Sequence, residues 1–271
     1  MRIVAWNCAM ALHKKANALA ALGCDVAVIS ECGKSSLATL EQLGYAGVWV
    51  GSNPHKGLGI FARKPLRPHL ICKPKQHWVA AADIEVNSQL LRVIGVWACR
   101  VGGRRCDNYI GQLYEALVKN PGWLSCPNTI VAGDFNSNSI WDANRAVGNH
   151  TDVVNLLAGR GIVSAYHNFY GEAQGSESRH TLYLLKSRKR PFHIDYVFIP
   201  GAWRLKKLAI RNGRKWCTFS DHLPMVVDVR TTWEPSSNPR AVGMVIDRCD
   251  AGNVSSFDPP LRAVSSRVRP W

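Results

Sequence analysis

The sequence predicts an α/β fold, and three observations predict it. Apolar, β-branched runs alternate with segments of helical spacing through the first half of the chain. Strand-like runs dominate the second half. The 271 residues are 46% hydrophobic, enough for a sizeable core, and one α/β domain of about 230 residues is acceptable at this length. The pattern is compatible with two sheets packed face to face with helices outside.

In order, residues 3–7 form an opening strand that ends on Asn7. Helical spacing follows over 13–22, with Ala16, Leu19, Ala20 and Leu22 on one side. Residues 26–31 read as a strand delivering Glu31, and 35–43 as a short helix. Strands are expected at 57–62, 78–84 and 90–97, the last of them buried. Residues 108–119 have helical spacing in Ile110, Leu113, Leu117 and Val118, and Pro121-Gly122 stops them. A buried strand spans 129–132, and Gly133 lets the chain change direction at its end. A helix over 152–160 closes at Gly161, and late strands fall at 193–197 and 225–229. Domain boundaries are expected at 1–230 for the globular body and 231–271 for a tail. The tail holds Pro235, Pro239, Pro259, Pro260 and Pro270 among many Ser and Arg, and reads as mostly disordered, with a short added strand at 242–246.

The strand ends carry the chemistry. Asp134 and Asn136 lie two residues apart, and on an extended backbone that spacing puts a carboxylate and an amide on one side. The plainer alternative is an Asx turn after a strand. Asn7, Glu31, Asp195 and the Asp221-His222 step occupy or adjoin other apolar strands. Oxygen ligands from several strand ends suit a hard cation such as Mg²⁺ or Mn²⁺, and an Asp-His step sets an imidazole beside a carboxylate.

The ordered set Trp6-Asn7, Glu31, Gly133-Asp134-Phe135-Asn136, Ile194-Asp195-Tyr196 and Ser220-Asp221-His222 resembles the endonuclease/exonuclease/phosphatase superfamily, over roughly residues 1–230. That superfamily includes abasic-site endonucleases, DNase I-like nucleases, sphingomyelinases and inositol-phosphate phosphatases. The resemblance implies a four-layer, DNase I-like α/β sandwich with two mostly antiparallel sheets. It implies Glu31 as principal metal ligand, with Asn7 supporting the ligand shell or a metal-bound phosphate. Asp134 would activate and orient the attacking water, and Asn136 would bond a phosphoryl oxygen or orient Asp134. His222 would contact the phosphate as imidazolium or general acid, paired with Asp195, and Asp221 would lie near the metal or the His. Two positions depart from the family pattern. Ala9 stands where many nucleases carry an acid, and the strand over 90–97 runs into Trp97-Ala98-Cys99 where many members place a Tyr or His. Tyr109 or His180 would have to substitute.

Charge bears on the substrate. The formal net charge is +15, of which +1 falls in 231–271, so the body itself is basic at +14. Such a field favours polyanions, nucleic acid or an anionic membrane surface, although some highly soluble proteins are basic without such a partner. Basic clusters occur at Arg104-Arg105, over 186–190 and across 204–215, interleaved with Trp141, Tyr183, Trp203 and Trp216. Cationic loops with aromatics suit backbone phosphates and unstacked bases, and Trp141, Arg188, Tyr109 and His180 are the candidate substrate-binding residues. Nine scattered cysteines, an odd number with no Cys-x-x-Cys, argue against a disulfide framework and a zinc site. Cys8 and Cys32 are expected to point away from the site. No apolar run approaches a membrane span, and a soluble cytoplasmic protein is expected. The functional expectation is a Mg²⁺-dependent nuclease on DNA or RNA. The alternative is a phosphatase or phospholipase-type enzyme acting on a small phosphoester, inositol phosphate or lipid head group. A catalytically dead binding protein is disfavoured by the intact acid and His set.

Overall fold

A computed structural model describes residues 1–71, 78–100, 109–142, 147–212 and 214–233. The strands are β1 (Arg2–Asn7), β2 (Val26–Cys32), β3 (Tyr45–Asn53), β4 (Lys56–Arg63), β5 (Pro68–Leu70), β6 (Val79–Val86) and β7 (Gln89–Trp97). They continue with β8 (Thr129–Asp134), β9 (Ile162–Ser164), β10 (Leu182–Tyr183), β11 (Pro191–Phe192), β12 (Asp195–Pro200), β13 (Arg204–Ile210) and β14 (Met225–Arg230). The helices are α1 (Ala16–Ala20), α2 (Ser36–Gln42), α3 (Ile110–Lys119), α4 (His150–Ala158), α5 (Ala165–Tyr170) and α6 (Arg214–Phe219).

Two six-stranded sheets result, ordered β13-β14-β1-β2-β4-β3 and β5-β6-β7-β8-β12-β9. Each is antiparallel apart from one parallel pair, β1–β2 in the first and β7–β8 in the second. The parallel pairs run without alternating polarity because both of their faces are covered. On β1, Ile3 and Ala5 face a core shared with Ile60, Val93 and Ile130 of both sheets. Val4 and Trp6 face Leu19 and Leu40 of α1 and α2. On the far side, Leu113, Leu117, Val153 and Leu157 of α3 and α4 cover the second sheet at Val131 and Phe198. The layers are therefore helix, sheet, sheet, helix.

Several expectations change. The helix expected over 13–22 shrinks to a 3₁₀ turn, Leu12–Lys14, and the five residues of α1. The chain before it runs left-handed through Ala9, Met10 and Ala11, and Lys15, at φ −119° and ψ −1°, breaks the run between the turn and α1. Strand β3 was not expected. Gly47 and Gly51 interrupt its apolar alternation, and a Cβ at either would overlap Phe61 or Trp49. The basic stretch over 204–215 holds edge strand β13, whose Lys206 and Lys207 are exposed; charged side chains are a common protection of sheet edges. Trp203 is buried and Trp216 packs edge-on against Trp6 at 5.3 Å, so neither belongs to a substrate surface. The helix expected over 152–160 begins earlier, at His150, where Asn149 and Asp152 form a capping box.

Cys8, Cys24, Cys32, Cys99, Cys126 and Cys217 are free thiols, and Cys8 and Cys32 are fully buried in the core beneath α1 and α2. No helix among the described residues is long and apolar enough to cross a membrane. Arg104-Arg105, Cys72, Cys106 and most of the expected tail, including 242–246, lie outside the described residues.

Candidate active site

Both parallel pairs point their carboxyl ends to the same place. In the first sheet these ends carry Asn7 and Glu31; in the second, Trp97 and Asp134. The antiparallel neighbours begin there: Asp195 opens β12 opposite Asp134, and the His222 segment leads into β14. Gly133 makes the approach of β7 and β8 feasible. Its φ is +133°, and a Cβ there would stand 2.0 Å from the Val96 carbonyl oxygen. The Ser30 hydroxyl donates to that same oxygen at 3.0 Å, tying β2 to β7 across the two sheets.

Asn7 is the hub. Its Nδ2 donates to Asp134 Oδ2 at 2.9 Å and to Glu31 Oε1 at 3.2 Å, while its Oδ1 accepts from the Ala9 amide at 3.0 Å. Ser220 Oγ donates to the Asn7 carbonyl at 2.8 Å and accepts from the His222 amide at 3.0 Å. His222 Nδ1 lies 2.9 and 3.1 Å from the two Asp195 oxygens. Asp195 takes no other route out of the core: it is fully buried, and its amide donates to Thr181 Oγ1, as does the Ile194 amide, both at 3.0 Å.

These contacts set the charges. Burial pushes the Asp134 carboxyl up, to about 7, helped by Asp195 and opposed by His222 and the Asn7 bond. Burial alone would lower His222, but Asp195 first and then Asp134 outweigh it and hold the imidazolium up to about 10. The floor is thus a cation between two buried carboxylates, with His222 itself 8% exposed.

Glu31 differs. It sits on a β-bulge against β4, with left-handed backbone at φ 59°, and its side chain remains 21% exposed. Bulges of this kind re-aim a side chain out of its strand's alternation. Asp134, Asp195 and His222 place ligand atoms within 4.8 Å of one another. Of these, His222 Nδ1 is committed to Asp195, and Asp134 accepts from Asn7 and from the Asn136 amide. Glu31, joined to the cluster through Asn7 and paired with Lys56, is a partly exposed carboxylate at its edge. An oxygen-rich set with one accessible carboxylate fits a hard divalent cation.

Asn136 does not share an extended face with Asp134. Its φ is 46° and its amide donates to Asp134 Oδ1 at 2.8 Å, the Asx turn. The turn carries Asn136 into a cleft of about 380 Å³ beside Tyr109 and Trp141. Tyr109 and Trp141 are exposed, and Trp141 leans on Phe192 at 5.5 Å. His180 and Arg188 lie elsewhere, grouped around Tyr183: His180 lines a separate hollow with it, and the Arg188 guanidinium stands 5.7 Å from its ring. Asp221 is half-buried; its carbonyl accepts from the Tyr183 amide, and its charge helps raise His222.

Three participants escaped sequence reasoning. Thr181 anchors Asp195, and its only sequence signal was its place beside His180. Lys56, with Nζ 3.3 Å from Glu31 Oε2, comes from a hairpin with no motif of its own. Lys15 gathers the carbonyls of Cys8, Met10 and Phe219 and so fixes the left-handed turn after Asn7. Under the floor, Asn138 bonds Glu177, Tyr196 and the His193 carbonyl, bracing the chain just before Asp195.

The sequence matches the Endonuclease/Exonuclease/phosphatase family over residues 4–222, and the chain belongs to that family. Solved structures share its fold. The 3′ phosphatase NExo from Neisseria, bound to a product DNA hairpin, is 20% identical, with TM-score 0.63 over 85% of this chain and 100% of that one. TDP2 from D. rerio, complexed with a single-strand DNA product, is 16% identical, with TM-score 0.62 over 85% and 99%. An AP endonuclease from Archaeoglobus fulgidus is 18% identical, with TM-score 0.61 over 85% and 100%. No curated protein sequence matches. The protein is a hydrolytic phosphoesterase. Enzymes of this family generally depend on a divalent metal, and the acid and His cluster supplies candidate ligands.

Proposed function

We propose that the protein is a Mg²⁺- or Mn²⁺-dependent phosphodiester hydrolase acting on DNA or RNA. The observation that carries this reading is the buried cluster in which Asn7 joins Asp134 to Glu31 and Asp195 holds His222. Glu31, supported by Asn7, would hold the divalent ion, with Asp221 as a further carboxylate nearby. When bound, the ion polarises a phosphoryl oxygen and stabilises the leaving oxygen. Asp134, with its carboxyl raised to about 7, is suited to take a proton from water near neutral pH. Asn7 and the Asn136 amide aim its two oxygens. His222 would present its Nε2–H to the phosphate as an imidazolium, while Asp195 fixes its ring orientation and its charge. Asn136, which lines the cleft, would bond a phosphoryl oxygen there. The body charge of +14, the exposed Trp141, Tyr109 and Arg188 and the half-buried His180 favour a polyanion carrying bases.

A second reading, hydrolysis of a phosphomonoester, draws on the Neisseria relative described as a 3′ phosphatase. A Mg²⁺/Mn²⁺ activity panel tests both. Its substrates are abasic-site duplex, plain single and double strands, 3′-phosphorylated ends, bis-p-nitrophenyl phosphate and phosphoinositides. Metal-dependent cleavage of a nucleic acid, falling steeply as salt rises, is expected. Hydrolysis confined to lipids or small esters overturns the nucleic-acid assignment.

A further inference from the structure

We propose that Lys56 is a built-in counter-cation of the active site. Its ammonium holds the Glu31 carboxylate when no divalent ion is bound, gives way to the ion, and then lends its charge to the substrate phosphate. This rests on the reading of Glu31 as a metal ligand.

Three features place Lys56 there. Its Nζ lies 3.3 Å from Glu31 Oε2, while Glu31 Oε1 is occupied by Asn7. The hairpin that carries it is pinned to the chain just past Glu31: the Lys34 amide donates to the Pro54 carbonyl at 2.7 Å, and the Trp49 indole donates to the Cys32 carbonyl at 2.9 Å. The next residue, Gly57, pairs with Cys32, and a Cβ at Gly57 would stand 2.4 Å from the Val50 carbonyl oxygen. The ammonium is therefore delivered by a fixed backbone. Finally, it stands 5.0 Å from the Trp97 ring centroid, and Trp97 is the strand partner of Asp134. A cation released from Glu31 keeps this aromatic face as its resting place, on the side of the site where Asp134 activates water.

A monovalent and a divalent cation at one carboxylate repel each other, so the ion pair must loosen for the ion to enter. The Lys56 side chain is 38% exposed, which leaves it free to swing and open to a phosphate.

The test uses the full chain freed of metal. Mn²⁺ binding is followed by electron paramagnetic resonance for the wild type, Lys56→Met, Lys56→Arg and Glu31→Gln. Inorganic phosphate binding at saturating Mn²⁺ is followed by calorimetry. Lys56→Met is expected to bind Mn²⁺ about two- to fivefold tighter, the range of a partly exposed ion pair, and to bind phosphate more weakly. Lys56→Arg stays near wild type in both. Unchanged or weaker Mn²⁺ binding by Lys56→Met overturns the proposal, and so does unchanged phosphate binding. Glu31→Gln separates the two layers of inference. If it loses Mn²⁺ while Lys56→Met does not differ from wild type, only the counter-cation fails. If Glu31→Gln binds Mn²⁺ normally, the metal assignment fails and takes this inference with it.

Discussion

Asp134, Asp195 and His222 on the floor of the site are 0%, 0% and 8% exposed, whereas Tyr109 and Trp141 on its rim are 42% and 51% exposed. The floor is made of strand ends cross-linked by side chains from both sheets. The rim is made of loop residues and a helix start, with few bonds to the floor. The floor therefore fixes the geometry of bond breaking, and the rim is free to diverge and choose what enters. Floor substitutions should act on turnover and stability, and rim substitutions on substrate affinity and salt dependence.

The largest break is expected at the floor. His222→Ala or Asp195→Asn should lower kcat roughly 10²- to 10⁴-fold, the range for a positioned acid or base, with an unchanged circular dichroism spectrum. Loss of affinity with turnover retained would move these residues from the floor to the rim.

The layer beneath the floor should respond to acid. Burial lowers His193 to about 4, below the roughly 6.5 of an unfolded histidine. Between those values His193 binds its proton in the unfolded chain and not in the native one, so its contribution to stability falls as pH drops from 6.5 to 4, by on the order of 3 kcal/mol. Asp134, raised to about 7, contributes with the opposite sign over the same window, so the His193 share is read as the difference between the urea-unfolding profiles of wild type and His193→Asn, which should shrink as pH falls from 6.5 to 4. Glu177 deepens the loss at lower pH. Burial would raise it, but bonds from His167 and Asn138 overcome that and hold it at about 2. Its contribution is present above the unfolded value and disappears as pH falls toward 2.

Thr181→Val is expected to cost about 2 kcal/mol or more, because two buried amides lose their acceptor. Thr181→Ser should restore both urea midpoint and kcat, which a side chain serving only as filler would not require.

The rim should give smaller and different effects. Trp141→Ala is expected to raise KM for an oligonucleotide by about tenfold, near the value of one stacked base, with kcat within a factor of about two to three. Away from the rim, in the group around Tyr183, Arg188→Ala should weaken binding a few-fold and reduce the slope of log affinity against log salt by about 1, the signature of one phosphate contact. A rim substitution that abolishes kcat at saturating substrate would erase the distinction between the two regions.

The floor was the more legible region. An apolar run that ends in Asn7, Glu31 or Asp134 is a local signal, readable without knowing the neighbours. What local pattern could not convey was backbone hand. Glu31 and Asn136 are both left-handed, so strand alternation misplaces Asn136, and the Glu31 bulge has no composition of its own. Nor could it convey contacts across distant segments. Thr181 and Lys56 act through Asp195 and Glu31, and only the fold makes them neighbours. Edge strands β3 and β13 were hidden for opposite reasons, glycines in one and lysines in the other. Aromatics interleaved with basic residues were a weak guide, since Trp203 and Trp216 serve the core while Trp141 stays on the surface.

The most direct measurement is single-turnover cleavage of a labelled oligonucleotide by wild type and Asp134→Asn in Mg²⁺, beside equilibrium binding of the same oligonucleotide. The asparagine keeps the shape and can accept only one of the two bonds that Asn7 and the Asn136 amide donate, and it cannot take a proton. Cleavage by the wild type that stops on chelation, a loss of about 10³-fold or more in the variant, and equal binding by both are predicted. Wild-type cleavage rates in Asp134→Asn, or cleavage indifferent to chelation, would contradict the account.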